Sequence, residues 1–217
     1  MHFPNFETES KKMLSYAFVA GCDEAGMGPL AGPVFAAICI LNPKDFVFTK
    51  NTGSWHARIR DSKTVQEIER VQLGTAIKNN CLAYGIGKSS VTEIDRINIH
   101  HARQRAIYRA WNDLLTKFPK YKKIKGIILI DGKFIVQEIF CEQETFVKGD
   151  ATIISIAAAS ILAKNARDSY MITLHKKHPE YGFAHHKGYG TVKHFSALRE
   201  YGVTRFHRKT FVKKILF

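Results

Sequence analysis

Apolar residues run almost without interruption over 16–22 (YAFVAGC), over 32–41 (GPVFAAICIL) and over 126–130, where GIILI ends in Asp131. Short runs rich in β-branched residues and bounded by turn residues predict buried strands. The second run reads as an antiparallel neighbour of the first, and the third as a central strand covered on both faces. Residues 81–88 read as a further strand and 140–148 as a short one. Ile99, Ala102, Ala106, Ala110, Leu114 and Phe118 recur at helical spacing and predict an amphipathic helix over 97–118. A long apolar helix is predicted over 153–175, and another over 191–200 that Gly202 stops. Thr64-Val65-Gln66-Glu67 has the form of a capping box, opening a helix with Val65, Ile68, Ala76 and Ile77 on one side. Residues 1–15 read as a lead-in, 42–60 and 181–190 as loops, and 205–217 as a last, basic helix. Three strands, a helix, then strands alternating with helices describe an α/β domain with a mixed, five-stranded sheet flanked by helices.

Composition changes this picture in one respect. Of 217 residues, 45% are hydrophobic and 24% charged, as in ordinary globular domains, but the formal net charge is +14. From residue 151 onward twelve Lys and Arg face three acids, so nine of those charges lie in the C-terminal part. A solvated helix face usually mixes signs; this excess predicts a polyanionic partner, nucleic acid before membrane. The four cysteines stand singly with no C-x-x-C pair, which argues for free thiols and against a zinc site. No apolar run reaches membrane-spanning length. Lys11-Lys12 before residues 13–22 imitates a secretion signal, but cleavage at Cys22 would remove a core strand, so the stretch reads as part of the fold.

The chemistry concentrates in AGCDEAGMGPLAGP (20–33). Asp23 and Glu24 follow an apolar run, where charge is normally excluded, and glycines follow at once. Adjacent strand residues point to opposite faces, so both acids reach one cation only if the strand ends there. Asp131 ends a second predicted strand and Asp150 precedes a predicted helix. Brought together, four carboxylates suit hard divalent cations such as Mg²⁺ or Mn²⁺. Against this, Asp150 taken alone is a helix cap and Asp131 a turn residue beside Gly132. Gly26-x-Gly28-x-x-Ala31 also matches a loose dinucleotide fingerprint. Tyr189, between two glycines in a basic loop, is a candidate base- or sugar-stacking residue. His175, His178 and the paired histidines, with no accompanying Cys or buried acid, read as solvated or phosphate-facing and not as zinc ligands.

Six motifs in order make the chain resemble the ribonuclease HII (type 2 ribonuclease H) family: GCDEAGMGPLAGPV (21–34), DSK (61–63), LIDG (129–132), KGDATIISIAAASILAKNARD (148–168), HKGYGT (186–191) and HRKTF (207–211). The resemblance implies a ribonuclease H-like fold. A lead-in over 1–15 would precede a catalytic domain over 16–178, with a small helical part over 179–217 packed on it. It implies a cytoplasmic, monomeric endonuclease that cuts the RNA strand of RNA–DNA hybrids and cuts 5′ of single ribonucleotides in duplex DNA. The ends left would be 3′-hydroxyl and 5′-phosphate. By the same resemblance Asp23, Glu24, Asp131 and Asp150 are the catalytic metal ligands, with Asp23 bridging two ions of Mg²⁺ or Mn²⁺. Gly26, Met27, Gly28, Ser62, Lys63 and Tyr189 would meet the substrate: Gly26 and Gly28 through backbone at the ribose 2′-hydroxyl, Lys63 at a phosphate, Tyr189 on a sugar. Where the family pattern is Gly-Arg-Gly, this chain has Gly26-Met27-Gly28 and so lacks one cationic contact. The competing classes are a non-catalytic nucleic-acid-binding protein and a dinucleotide-dependent enzyme.

Overall fold

The structure, a computed structural model, describes residues 4–47, 55–60, 62 and 64–216. Among them, five strands form one sheet in the order β3-β2-β1-β4-β5: β1 (Phe18–Ala25), β2 (Val34–Ile40), β3 (Ala83–Ser89), β4 (Gly126–Asp131) and β5 (Glu142–Phe146). β1 pairs antiparallel with β2 and parallel with β4, and β4 pairs parallel with β5. The helices are α1 (Glu7–Lys12), α2 (Lys44–Val47), α3 (Glu67–Asn80), α4 (Val91–Lys117), α5 (Ile154–Lys177), α6 (Phe183–His186), α7 (Val192–Tyr201) and α8 (Lys209–Leu216).

The strand period sorts β1 between two layers. Phe18, Ala20 and Cys22 face the cluster formed with α4, through Ala102, Ala106, Ala110 and Leu114. Val19 and Ala25 face α5, whose Ala157, Ala158 and Ala159 are fully buried. Small residues set the spacing of both layers. A Cβ at Gly21 would collide with the backbone of Ser155 and Ile156, and one at Gly87 with the backbone of Ala106 and Ala110. Both helices therefore lie against bare strand backbone, closer than side chains would permit.

Several predicted boundaries move, each for a local reason. β1 does not stop at Cys22 but continues through both acids to Ala25. The helix after residue 64 begins at Glu67, Gln66 makes no side-chain cap bond, and Ile68 is exposed. The capping box lies instead at the start of α4. There the Ser90 hydroxyl accepts from Glu93 N–H while the Glu93 carboxylate accepts from Ser90 N–H. α4 thus starts six residues earlier than predicted and is interrupted at Asn98, whose backbone is left-handed in φ (63°). The Asn98 side chain accepts from His100 and His101 N–H and so caps the second segment.

The C-terminal part has its own apolar cluster, joining Met171 and Leu174 of α5 to Tyr181, Phe183, Leu198 and Val212. Leu30 and Ala31 of the glycine-rich segment belong to it. Gly188 O accepts from Leu30 N–H, Leu30 O from Arg208 N–H, and Phe206 O from Gly32 N–H. The turn between β1 and β2 is held in place by residues 150 or more positions away.

Candidate active site

Register places two of the acids side by side. Cys22 is paired with Ile130, so the next residues along the parallel strands, Asp23 and Asp131, stand together where β4 ends. Both lie on the α5 face by alternation. Asp131 Oδ1 accepts a hydrogen bond of 2.8 Å from Gly149 N–H, which holds the turn carrying Asp150 against it. Asp150 is buried in that turn, directly before α5. Glu24 points the other way, towards α4, where Arg103 Nε lies 2.8 Å from its Oε2. The pair is an ion contact off the line of a hydrogen bond. Arg103 also donates to Asp131 O at 2.5 Å.

The electrostatics are those of a site short of positive charge. Burial, then the charges of Glu24 and Asp131, pushes the Asp23 carboxyl well above the usual carboxylate range. A bond from the Ser160 hydroxyl and one from Glu24 N–H, 2.7 Å to Asp23 Oδ1, pull the other way. Glu24 is raised by burial and held down by Arg103. Among the described residues no three Asp, Glu, His or Cys side chains are drawn up into a ready ligand cage. The all-oxygen donors and mutual repulsion fit a hard divalent cation, which would relieve both.

The other candidates fall around this centre. Ser62 is buried, its hydroxyl 2.8 Å from that of Ser160, so it stands behind Asp23 and not at the surface. Lys63 and Asp61 lie outside the described residues. Gly26 is buried with a left-handed φ of 102°, while Gly28 is exposed; a Cβ on it would lie 3.9 Å from Tyr189. Met27 is half-buried against the α4 cluster. Tyr189 is 45% exposed, with the Arg167 guanidinium 5.8 Å from its ring centre. After Ala25 the chain turns into antiparallel β2, so no helix follows the glycines directly, and the strand–glycine–helix order that the dinucleotide fingerprint needs is missing.

Arg103 escaped the sequence reading, while Arg167 and Arg208, counted there with the basic C-terminal excess that predicted a polyanion-facing surface, are fully buried. Arg103 and Arg167 occupy buried positions in α4 and α5, four residues from Ile99 and Ile107 and from Ala163 and Met171 respectively. A cation interrupting an apolar helical stripe was the available signal. Arg208 has no periodic context and was not legible. Burial, then the Arg167 charge, lowers its pKa to about 9.

His194 and His207 are fully buried. Thr204 N–H donates to His207 Nδ1 at 3.0 Å, so the His207 proton sits on Nε2, 3.1 Å from His194 Nε2. The His194 proton then sits on Nδ1 and faces Tyr189 O at 2.9 Å. Burial foremost pushes both imidazoles down to about 4. The folded state keeps them neutral while the unfolded chain takes up protons near 6.5. Stability is therefore expected to fall as pH drops from about 6.5 to about 4, with a slope of up to about 1.4 kcal/mol per pH unit for each site. Urea midpoints across that range should show it, and His207→Gln should remove one site's share; an unchanged slope would refute the assignment.

The ribonuclease HII family model matches residues 20–214. A ribonuclease HII of Clostridioides difficile is 46% identical over 201 residues, covering 93% of this chain and 72% of that protein. One of Chromobacterium violaceum is 44% identical over 193 residues, 89% of each. Among solved structures, ribonuclease H2 of Pyrococcus horikoshii superposes with a TM-score of 0.70 at 24% identity, covering 91% of this chain and 96% of that one. A Bst-RNase HIII in complex with Mn²⁺ gives 0.68 at 19% identity, covering 92% and 69%. At that identity the structural likeness speaks for the fold.

Proposed function

We propose that this chain, which belongs to the ribonuclease HII family, cuts on the 5′ side of single ribonucleotides in duplex DNA as well as within the RNA strand of hybrids. The family is one of metal-dependent endonucleases acting on RNA–DNA hybrids. The observation that carries the metal-dependent cleavage is the meeting of Asp23, Asp131 and the Asp150 turn where the central strand β4 ends, with Glu24 nearby on the opposite face of the sheet. No helix among the described residues is long and apolar enough to cross a membrane.

In this reading Asp23, Glu24, Asp131 and Asp150 would hold two ions of Mg²⁺ or Mn²⁺. When bound, such ions activate a water and stabilise the leaving 3′-oxygen of an in-line displacement. The chain's own residues do the rest. Ser160 orients Asp23, the Gly149 amide orients Asp131, and Arg103 keeps Glu24 from swinging into solvent. The backbone at Gly26 and Gly28 lies against the ribose whose 2′-hydroxyl separates RNA from DNA. Tyr189 stacks on the neighbouring sugar, and Lys63 takes a phosphate. The products carry 3′-hydroxyl and 5′-phosphate ends.

The deciding experiment uses an end-labelled duplex with one ribonucleotide, incubated with Mg²⁺, with Mn²⁺ and with excess chelator. A single cut 5′ of the ribonucleotide, dependent on metal, is expected; equal cleavage in chelator would refute the mechanism. Tyr189→Ala should slow cleavage at the single ribonucleotide more than cleavage of a uniform hybrid, by about 1–3 kcal/mol of lost stacking. Equal losses on the two substrates would make Tyr189 a structural residue.

A further inference from the structure

The two largest fully buried side chains in the described structure are arginines, Arg167 and Arg208. Among the described residues neither is drawn into an ion pair; both spend their donors on backbone carbonyls. Arg208 gives Nη2 to Gly26 O (2.7 Å), Nη1 to Met27 O (3.0 Å) and Nε to Gly32 O (2.9 Å). Arg167 gives Nε to Pro33 O (3.3 Å) and Nη2 to Ala31 O (3.2 Å) and Lys187 O (2.9 Å), and its Nη1 has no partner. Five of the eight carbonyls from Gly26 to Pro33 are thus turned into the protein. Burying two cations beside each other is costly, and an apolar core would hold a turn without that cost.

Peptide geometry shows what the arrangement achieves. In a trans peptide the N–H points away from the C=O. With Gly26 O and Met27 O drawn inward by one guanidinium, the N–H groups of Met27 and Gly28 point outward, on the side of exposed Gly28 and Tyr189. We propose that Arg208, backed by Arg167, is a positioning residue that presents these two amides as donors to the 2′-hydroxyl-bearing nucleotide. The reading rests on the ribonuclease assignment above. It also means that the loop draws its positive charge from beneath, so a methionine at position 27 does not leave it without a cation.

The test measures binding in EDTA, where no strand is cut, to duplexes with one ribonucleotide or with its 2′-deoxy counterpart at the same position. The wild-type protein should prefer the ribonucleotide. Arg208→Lys, which keeps the charge but cannot span two carbonyls in one plane, should lose about tenfold of that preference, roughly one hydrogen bond, with all-deoxy affinity unchanged. Equal weakening on both duplexes, or a retained preference, would overturn the proposal. A wild-type protein without preference would overturn the ribonuclease reading and this proposal with it. A second measurement needs no variant. The Met27 and Gly28 amide resonances of the wild-type protein should shift with the ribonucleotide duplex and not with the deoxy one; identical responses would refute the role.

Discussion

Asparagine in place of Asp23 is expected to lower kcat by roughly three orders of magnitude, as several kcal/mol of metal-borne transition-state stabilisation is lost. The same variant should be harder to unfold than the wild type when metal is absent. Asp23 is 5% exposed and faces the charges of Glu24 and Asp131 with hydrogen bonds from Ser160 and Glu24 N–H as its compensation. An isosteric amide removes the like-charge repulsion and the cost of burying an anion, and keeps an acceptor for those donors. Activity and metal-free stability should therefore move in opposite directions. Single-turnover cleavage and urea unfolding in EDTA check both halves. A variant that unfolds more easily would show that Asp23 serves the fold through Ser160 and not the metal.

Asp168→Ala is expected to cost about 3–5 kcal/mol, the scale of breaking a buried ion pair by removing one partner. Asp168 is 4% exposed and accepts from Arg70 Nη2 at 2.7 Å and Lys164 Nζ at 2.8 Å. Arg70, itself buried, also donates to Val65 O at 3.1 Å and Ser62 O at 3.4 Å. Removing the carboxylate leaves a guanidinium in the interior without its counter-charge. The same change loosens the segment that carries Ser62 to Ser160. Asp168→Asn, which retains an acceptor, should lose less. Urea unfolding of the two variants decides it, and a loss for alanine below about 1 kcal/mol would place the pair with solvated surface bridges.

What could be read from the chain was what local pattern encodes. The strand over 126–131 was placed with its observed bounds, because a fully buried strand is a continuous apolar run that its terminal acid punctuates. The same logic failed one strand away. Asp23 and Glu24 looked like the end of β1, yet the ladder to Ala36 and Ala37 of β2 continues through them. What tolerates the charges there is tertiary: Ser160 from α5 on one face and Arg103 from α4 on the other. The helical spacing begins at Ile99, one residue after the interruption at Asn98, so it marked the second segment of α4 and missed the first. The site was legible as a set of acids because each ends or opens an element. Among its supports, Arg103 and Arg167 showed only as cations interrupting apolar helical stripes, and Arg208 showed no periodic signal, because its side-chain partners are backbone carbonyls, which carry no signature in sequence.

The alternation of β1 has a mechanical consequence. Asp23 hangs on the side of the sheet where α5 lies and Glu24 on the side where α4 lies. With Asp23 among its ligands on one face and Glu24 on the other, the two-ion cluster proposed above would act as a rivet at this end of the sheet, fastening two layers that otherwise meet across it. Local opening of α4 and of α5 would then be coupled. Amide exchange should report this as matched slowing in both helices at one metal concentration, Ala106 and Ala159 rising in protection together while the distant α7 keeps its own rate.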